Sequence, residues 1–209
     1  MIDLHTTNTA NGYKASIMLE ELGLPYQVID YDLVKGEHLS REYLALNPVG
    51  RVPAIVDRDV GDGSAEPLVV YGSPAILTYL AEKTGRLLPQ DPRARARTLE
   101  WVGMVASDLA PAFSGQFVFN VLAPEKIPYA IGFYDRLCDR LVKVLEDQLG
   151  RSPYLAGDEY SIADVIAYPV ASVSMRRYPG NLDGHPHLAR WAATVGARPA
   201  VQRGMRVPR

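Results

Sequence analysis

Cysteine is almost missing from this 209-residue chain: Cys138 stands alone. A single thiol excludes an internal disulfide, a Cys-x-x-Cys redox pair and a cysteine-based metal cluster. No apolar run approaches the ~18 residues needed to span a bilayer. The first residues read as a strand rather than a charged and then apolar leader, so no export and a cytoplasmic location are expected. Charge of one sign is also lacking, with 22 Lys and Arg against 24 Asp and Glu and a formal net charge of −2. That balance argues against nucleic acid or an anionic membrane as the main partner. What remains is ordinary: 47% hydrophobic residues, in a length that suffices for one domain or two small ones with a real core.

The chain opens with a short apolar run, Ile2 to His5, with a strand predicted at Asp3 to His5, followed by small hydroxyls and amides through Asn11. Ala15 to Leu22 places Ile17, Met18 and Leu22 on one helical face, with Gly23 as a stop, and a second strand is predicted at about 27–31. RVPAIVD and PLVVY are β-type runs joined by an Asp- and Gly-rich connector, the pattern of an antiparallel hairpin. SPAILTYLAEKTG then reads as a helix with Ser73 as N-cap, Pro74 at its first position and Gly85 closing it. The order strand, helix, strand, loop, hairpin, helix describes an α/β domain over residues 1–85.

A Pro- and Arg-bearing linker, 86–92, precedes a segment, 93–209, with helical periodicity and no convincing strand. Val102, Val105, Ala106 and Leu109 follow one helical stripe, as do Tyr134, Leu137, Leu141 and Val144. Ser161 and Asp164 have the spacing of a capping box, and short helices are predicted near His185 and Arg198. The second half is therefore expected to be an all-α bundle.

Three places can carry chemistry. Pro53 opens a strand, where it cannot donate to a ladder. A cis Val52–Pro53 bond would leave the Val52 backbone free to pair with an extended peptide; a trans bond is the plainer alternative. Gly72-Ser73-Pro74 starts a helix, whose unpaired N–H groups of Ser73, Ala75 and Ile76 suit a carboxylate; Ser73 as a simple cap is the other reading. Thr9 and Asn11 place a hydroxyl and an amide at the mouth of the first helix, although both are also common loop residues. Elsewhere, Cys138 shares a face with Leu141, Leu145 and Leu149 and reads as a buried apolar thiol. His185 and His187 flank Pro186 in a cap region rather than forming a ligand pair, and no metal is expected. The arginine-rich end, Arg176, Arg177, Arg190, Arg198, Arg203, Arg206 and Arg209 against Asp183, reads as solvated faces.

In their order, these signals resemble the cytosolic glutathione transferases over essentially the whole chain. NPVGRVPAIVD, ILTYLAEKTGRLLP and YSIADVIAYP are typical of that family, and IDLHTTNTANGYK is most similar to its bacterial nu-type, disulfide-reducing members. The resemblance implies a thioredoxin-like N-terminal domain, a helical C-terminal domain, a homodimer, and glutathione as substrate. It implies a cis Pro53, with the Val52 backbone on the cysteinyl unit, Ser73 on the γ-glutamyl carboxylate, and Arg51 and His38 towards the glycyl end. Thr9 and Asn11 would then hold the sulfur, with Tyr13 and His5 as substitutes. A thiol pKa near 8.5 falls by about two units for ~2.7 kcal/mol of preferential stabilisation, within reach of one or two hydrogen bonds to a charged acceptor.

The chain departs from the pattern at two positions. Gly72 stands where relatives carry Glu or Gln beside the γ-glutamyl amine, and Phe133 stands where nu-type members carry arginine. Losing such a partner costs about 1–3 kcal/mol, so glutathione is expected to bind weakly. Phe113, Phe117, Phe119, Phe133 and Tyr178 would form an apolar second-substrate pocket. Two activities fit this reading, addition of glutathione to a small electrophile or reduction of a disulfide. A rival keeps the scaffold as a binding protein for apolar ligands or a protein partner, and Gly72 and Phe133 favour it. A nucleic-acid-binding module on the C-terminal arginines would require a steep salt dependence and is not expected.

Overall fold

The computed structural model describes residues 1–174 and 184–208. They fall into two units, residues 1–88 with 197–209, and residues 89–196.

Four strands form the sheet of the first unit: β1 (Ile2–Thr6), β2 (Tyr26–Asp30), β3 (Ala54–Asp57) and β4 (Leu68–Tyr71). The order is β2-β1-β3-β4, with β2 parallel to β1, and β3 antiparallel to both β1 and β4. The alternating polarity of β1 does not expose one of its faces. All five of its residues are buried, as are all four of β3. Asp3 is enclosed on β1 and takes an ion pair from Arg58 at 2.6 Å, and Asp57 on β3 takes one from Lys83 at 2.6 Å.

Helix α1 (Ala10–Leu22) starts five residues before the predicted 15–22, because Thr9 is its cap. The Thr9 hydroxyl accepts the Gly12 N–H at 3.0 Å, and Gly23 ends the helix at φ +68° as its sequence position implies. Between β2 and β3, where a loop is expected, the chain forms the short helix α2 (Arg41–Leu46), capped by Ser40. Helix α3 (Ser73–Thr84) begins one residue earlier than predicted. Gly72 is its cap at φ +81°, and the first helical bond runs from Ile76 N–H to the Gly72 carbonyl at 3.0 Å. Ser73 is therefore not the cap, and Ile76 keeps no spare N–H.

In the second unit, α4 (Pro92–Met104) is capped by Asp91 and continues through a wider turn, closed by Ala110 N–H to Val105 O, into α5 (Ala110–Phe117). The helices α6 (Pro128–Leu149), α7 (Ile162–Pro169) and α8 (Pro186–Gly196) follow. On α6 the buried stripe is Cys138, Leu141, Val142, Leu145 and Leu149; Val144 is exposed, so the stripe through Tyr134 and Val144 is displaced to the one that includes Cys138. The capping box at α7 is complete. Asp164, fully buried, accepts from Ser161 N–H at 3.0 Å, Leu155 N–H at 3.0 Å and Trp191 Nε1 at 2.8 Å.

The last helix, α9 (Pro199–Gly204), packs on α1 rather than with the helices that precede it. Ser16 Oγ donates to the Gly204 carbonyl at 2.7 Å, and a Cβ at Gly204 would sit 2.5 Å from Ile17 Cα. Sequence pattern alone groups 197–209 with the helical half; packing groups them with the α/β unit. The arginines are not simply solvated either. Arg198 pairs with Glu21 at 2.7 Å and Arg203 with Glu20 at 2.6 Å, while Arg190 donates to the Leu149 carbonyl at 2.8 Å. Arg176, Arg177, Asp183 and Arg209 lie outside the described residues. Among the described residues no helix is long and apolar enough to cross a membrane.

Candidate active site

The sheet register gathers the candidate residues. His5 near the end of β1 is paired with Ala54 at the start of β3, and Ala54 is paired with Tyr71 at the end of β4. The β1–α1 turn with Thr9 and Asn11, the Val52–Pro53 entry to β3 and the Gly72–Ser73 entry to α3 therefore emerge at one end of the sheet. The Gly72 N–H reaches the Pro53 carbonyl at 3.4 Å, and the Val52–Pro53 bond is cis.

At the first of these points, Thr9 uses an oxygen lone pair to cap α1 and keeps its hydroxyl proton. Gly12 permits this geometry: a Cβ there would stand 2.2 Å from Thr7 O and 2.5 Å from Thr6 Oγ1. Asn11 is exposed, and its Oδ1 accepts from Lys14 Nζ at 2.8 Å. Lys14 is only 1% exposed, and burial pulls its ammonium down to about 8. No sequence motif marks this lysine. The signal was a cation three residues after Asn11, within the otherwise small and apolar face Ala15, Met18, Leu19.

Tyr13 and His5 are occupied elsewhere. The Tyr13 hydroxyl donates to Asn8 Oδ1 at 3.3 Å. His5 is buried on β1, shares a 2.8 Å hydrogen bond between its Nδ1 and the Tyr31 hydroxyl, and is held below its ordinary pKa by burial.

At the second point, Gly50 turns at φ +63°, and the Arg51 carbonyl accepts from the Tyr43 hydroxyl at 2.7 Å and from Asn47 Nδ2. These two donors fix the peptide just before Val52, and neither was legible as a positioning residue. The Arg51 side chain is exposed. His38 lies close by, its carbonyl 3.4 Å from a Cβ built on Gly50, and its Nδ1 is buried without a partner among the described residues. At the third point, Ser73 is largely buried, its hydroxyl has no partner among the described residues, and its N–H is a free first-turn donor. A Cβ at Gly72 would meet open space, although φ +81° strains any other residue there.

A cleft of about 460 Å³ opens beside Thr9, walled in part by Asp30, Asp32 and Glu37. Asp32 and Glu37 accept loop N–H groups and the cleft holds none of the other candidate residues, so it does not compete with the three-turn site.

Within the helical unit, Phe113 is 2% exposed and belongs to the core, because it falls on the buried face of α5 with Ala112 and Gln116. It offers no surface to a ligand. Phe117 and Phe119 are half-buried, Phe119 stacks on Tyr134 at 5.5 Å, and Phe133, 47% exposed, meets Tyr134 edge-on at 5.4 Å. Tyr178 lies outside the described residues. The thiol of Cys138 is buried and pushed up to about 12 by burial, so it is inert as a nucleophile. The His187 and Leu188 N–H groups donate to Glu146, at 3.1 and 2.8 Å, which makes this a helix start as expected. Among the described residues no three His, Cys, Asp or Glu side chains form a metal-holding group.

Residues 11–83 match the model of the glutathione S-transferase N-terminal domain, and residues 133–199 that of its C-terminal domain. The chain belongs to the glutathione S-transferase family. It is 41% identical to the disulfide-bond oxidoreductase YfcG of Escherichia coli, over 96% of this chain and 93% of that protein. Its fold superimposes on a Pseudomonas putida glutathione transferase with one glutathione disulfide bound per subunit, at TM-score 0.94 and 34% identity, covering 100% of this chain and 92% of the other. A Burkholderia graminis glutathione transferase with two glutathione molecules per subunit gives TM-score 0.94 and 36% identity, covering 100% and 88%.

Proposed function

We propose that the protein is a glutathione-dependent enzyme whose working nucleophile is the sulfur of bound glutathione. The observation that carries this is the convergence of three turns at one end of the sheet, with the Thr9 hydroxyl proton and the Ser73 hydroxyl and N–H unused among the described residues. The Ser73 hydroxyl and N–H suit the γ-glutamyl carboxylate, and the main chain at Val52, before cis Pro53, suits the cysteinyl unit. Arg51 and His38 suit the glycyl carboxylate. The Thr9 proton and the Asn11 amide then reach the sulfur. Two charge-assisted hydrogen bonds, at about 1.5–3 kcal/mol each, are enough to favour thiolate at neutral pH without a general base.

Disulfide reduction follows from that thiolate. It attacks one sulfur of a disulfide, a new S–S bond forms, and the departing thiolate is protonated. A second glutathione thiolate then attacks the glutathione sulfur of the mixed disulfide, releasing the other thiol and oxidised glutathione. Two electrons pass from two glutathiones to one disulfide, and no protein thiol is needed. The relative named a disulfide-bond oxidoreductase, and the relatives with glutathione disulfide or two glutathiones bound, support this order. The same thiolate adds to electrophilic carbon in conjugation. A ligand carrier without catalysis is not favoured by these relatives, although Gly72 and Phe133 still argue for weak glutathione binding. Homodimeric assembly belongs to the same reading.

Disulfide reduction and conjugation rates of Thr9→Ala and Asn11→Ala test it. Each is expected to lower kcat about tenfold to a hundredfold, the equivalent of one lost charge-assisted bond. Wild-type rates in both variants would show that the sulfur is held elsewhere.

A further inference from the structure

Lys14 carries a charge into the core of the N-terminal unit and, of the groups assigned to glutathione, touches Asn11. It lies on α1 among fully buried side chains, 1% exposed, and among the described residues its ammonium meets no carboxylate. An apolar residue would fill that position without burying a charge. Among the described residues the one hydrogen-bond partner of the Lys14 ammonium is the amide of Asn11, through Nζ to Oδ1 at 2.8 Å.

The chemistry of that contact has a direction. An ammonium only donates, and of the two ends of a side-chain amide only the oxygen accepts. Asn11 must therefore turn Oδ1 inward, which leaves the two N–H bonds of Nδ2 on the exposed side at the mouth of α1. Without Lys14 the amide is free to rotate and present its oxygen, and an oxygen lone pair repels a thiolate.

We propose that Lys14 is a positioning residue for glutathione sulfur, locking the Asn11 amide with its Nδ2 donors outward through the Nζ–Oδ1 hydrogen bond. This rests on the assignment of Asn11 as a sulfur donor. The ammonium form prevails at neutral pH, since burial brings Lys14 down only to about 8.

Three variants, Asn11→Ala, Lys14→Met and their combination, separate the two ideas. Disulfide-reduction kcat, KM for glutathione, and the thiolate fraction of bound glutathione, read by ultraviolet absorbance at one neutral pH, are measured for each. Lys14→Met is expected to lower kcat and thiolate fraction about as far as Asn11→Ala, roughly tenfold in kcat, with KM within about twofold. The double variant is expected to be no worse than Asn11→Ala alone, because Lys14 acts through that amide. Additive losses, or a Lys14→Met enzyme with wild-type kcat and thiolate fraction, would overturn the proposal while leaving Asn11 in its role. A silent Asn11→Ala would instead remove the site assignment beneath it. Lys14→Gln covers a Lys14→Met chain that fails to fold. Its amide can accept from Asn11 Nδ2 as well as donate to Oδ1, so it does not fix the Asn11 amide, and kcat and thiolate fraction are expected to fall below wild type; wild-type values contradict the proposal.

Discussion

At the scale of single residues, function and stability oppose each other at Lys14. Its pKa falls from 10.5 to about 8 because burial disfavours the charged form. At about 1.36 kcal/mol per unit, the folded state carries roughly 3 kcal/mol of penalty at neutral pH. The sign follows from linkage: between pH 8 and 10.5 the unfolded chain holds the proton and the folded chain has released it, so stability rises with pH in that window. Lys14→Met is expected to stabilise the protein at pH 7 by up to about 3 kcal/mol and to lose that rise, as measured by urea unfolding across the alkaline range. A destabilised Met variant would mean that the lysine stem and its hydrogen bond hold α1 in place. Gly12 shows the opposite pattern, a residue whose small size is required by the closely packed Thr7 carbonyl.

At the scale of elements, sequence resolves what depends on near neighbours. Gly23 and Gly85 end their helices in the left-handed region, the β3–β4 hairpin forms across its Asp- and Gly-rich connector, and Ser161 with Asp164 closes a capping box. Partners distant in sequence are not legible in that way. Nothing in the AVQRG pattern says that Gly204 will meet Ile17, or that Arg198 will find Glu21 177 residues away. On α6 two overlapping stripes compete, and only packing decides that Cys138 faces inward while Val144 faces out. Asp164 joins the local and distant levels: its carboxylate caps α7, ties down the Leu155 loop and reaches Trp191 on α8. Asp164→Ala strands three buried donors at about 1–3 kcal/mol each, a loss of at least roughly 3 kcal/mol. Chemical denaturation is expected to show that drop together with weaker helical circular dichroism. A change below about 1 kcal/mol would mean that the donors find other acceptors.

At the scale of the whole molecule, the proposed site is a property of the sheet register rather than of any one motif. Thr9, Val52 and Ser73 are separated in sequence and come together because β1, β3 and β4 pair as they do. The motifs are readable one by one, and the pairing of β1, β3 and β4 brings their turns to one end of the sheet. Lys14, Tyr43 and Asn47 were not readable, because they act on other protein groups, the Asn11 amide and the Arg51 carbonyl, and carry no motif of their own. The central claim concerns the ionisation of one sulfur by neutral donors, and titration of bound glutathione measures it most directly. Followed by thiolate absorbance against pH, glutathione on the wild-type protein is expected to ionise about two units below the ~8.5 of a free thiol and to return towards that value in Thr9→Ala. Ionisation near 8.5 on the wild-type protein would contradict the claim.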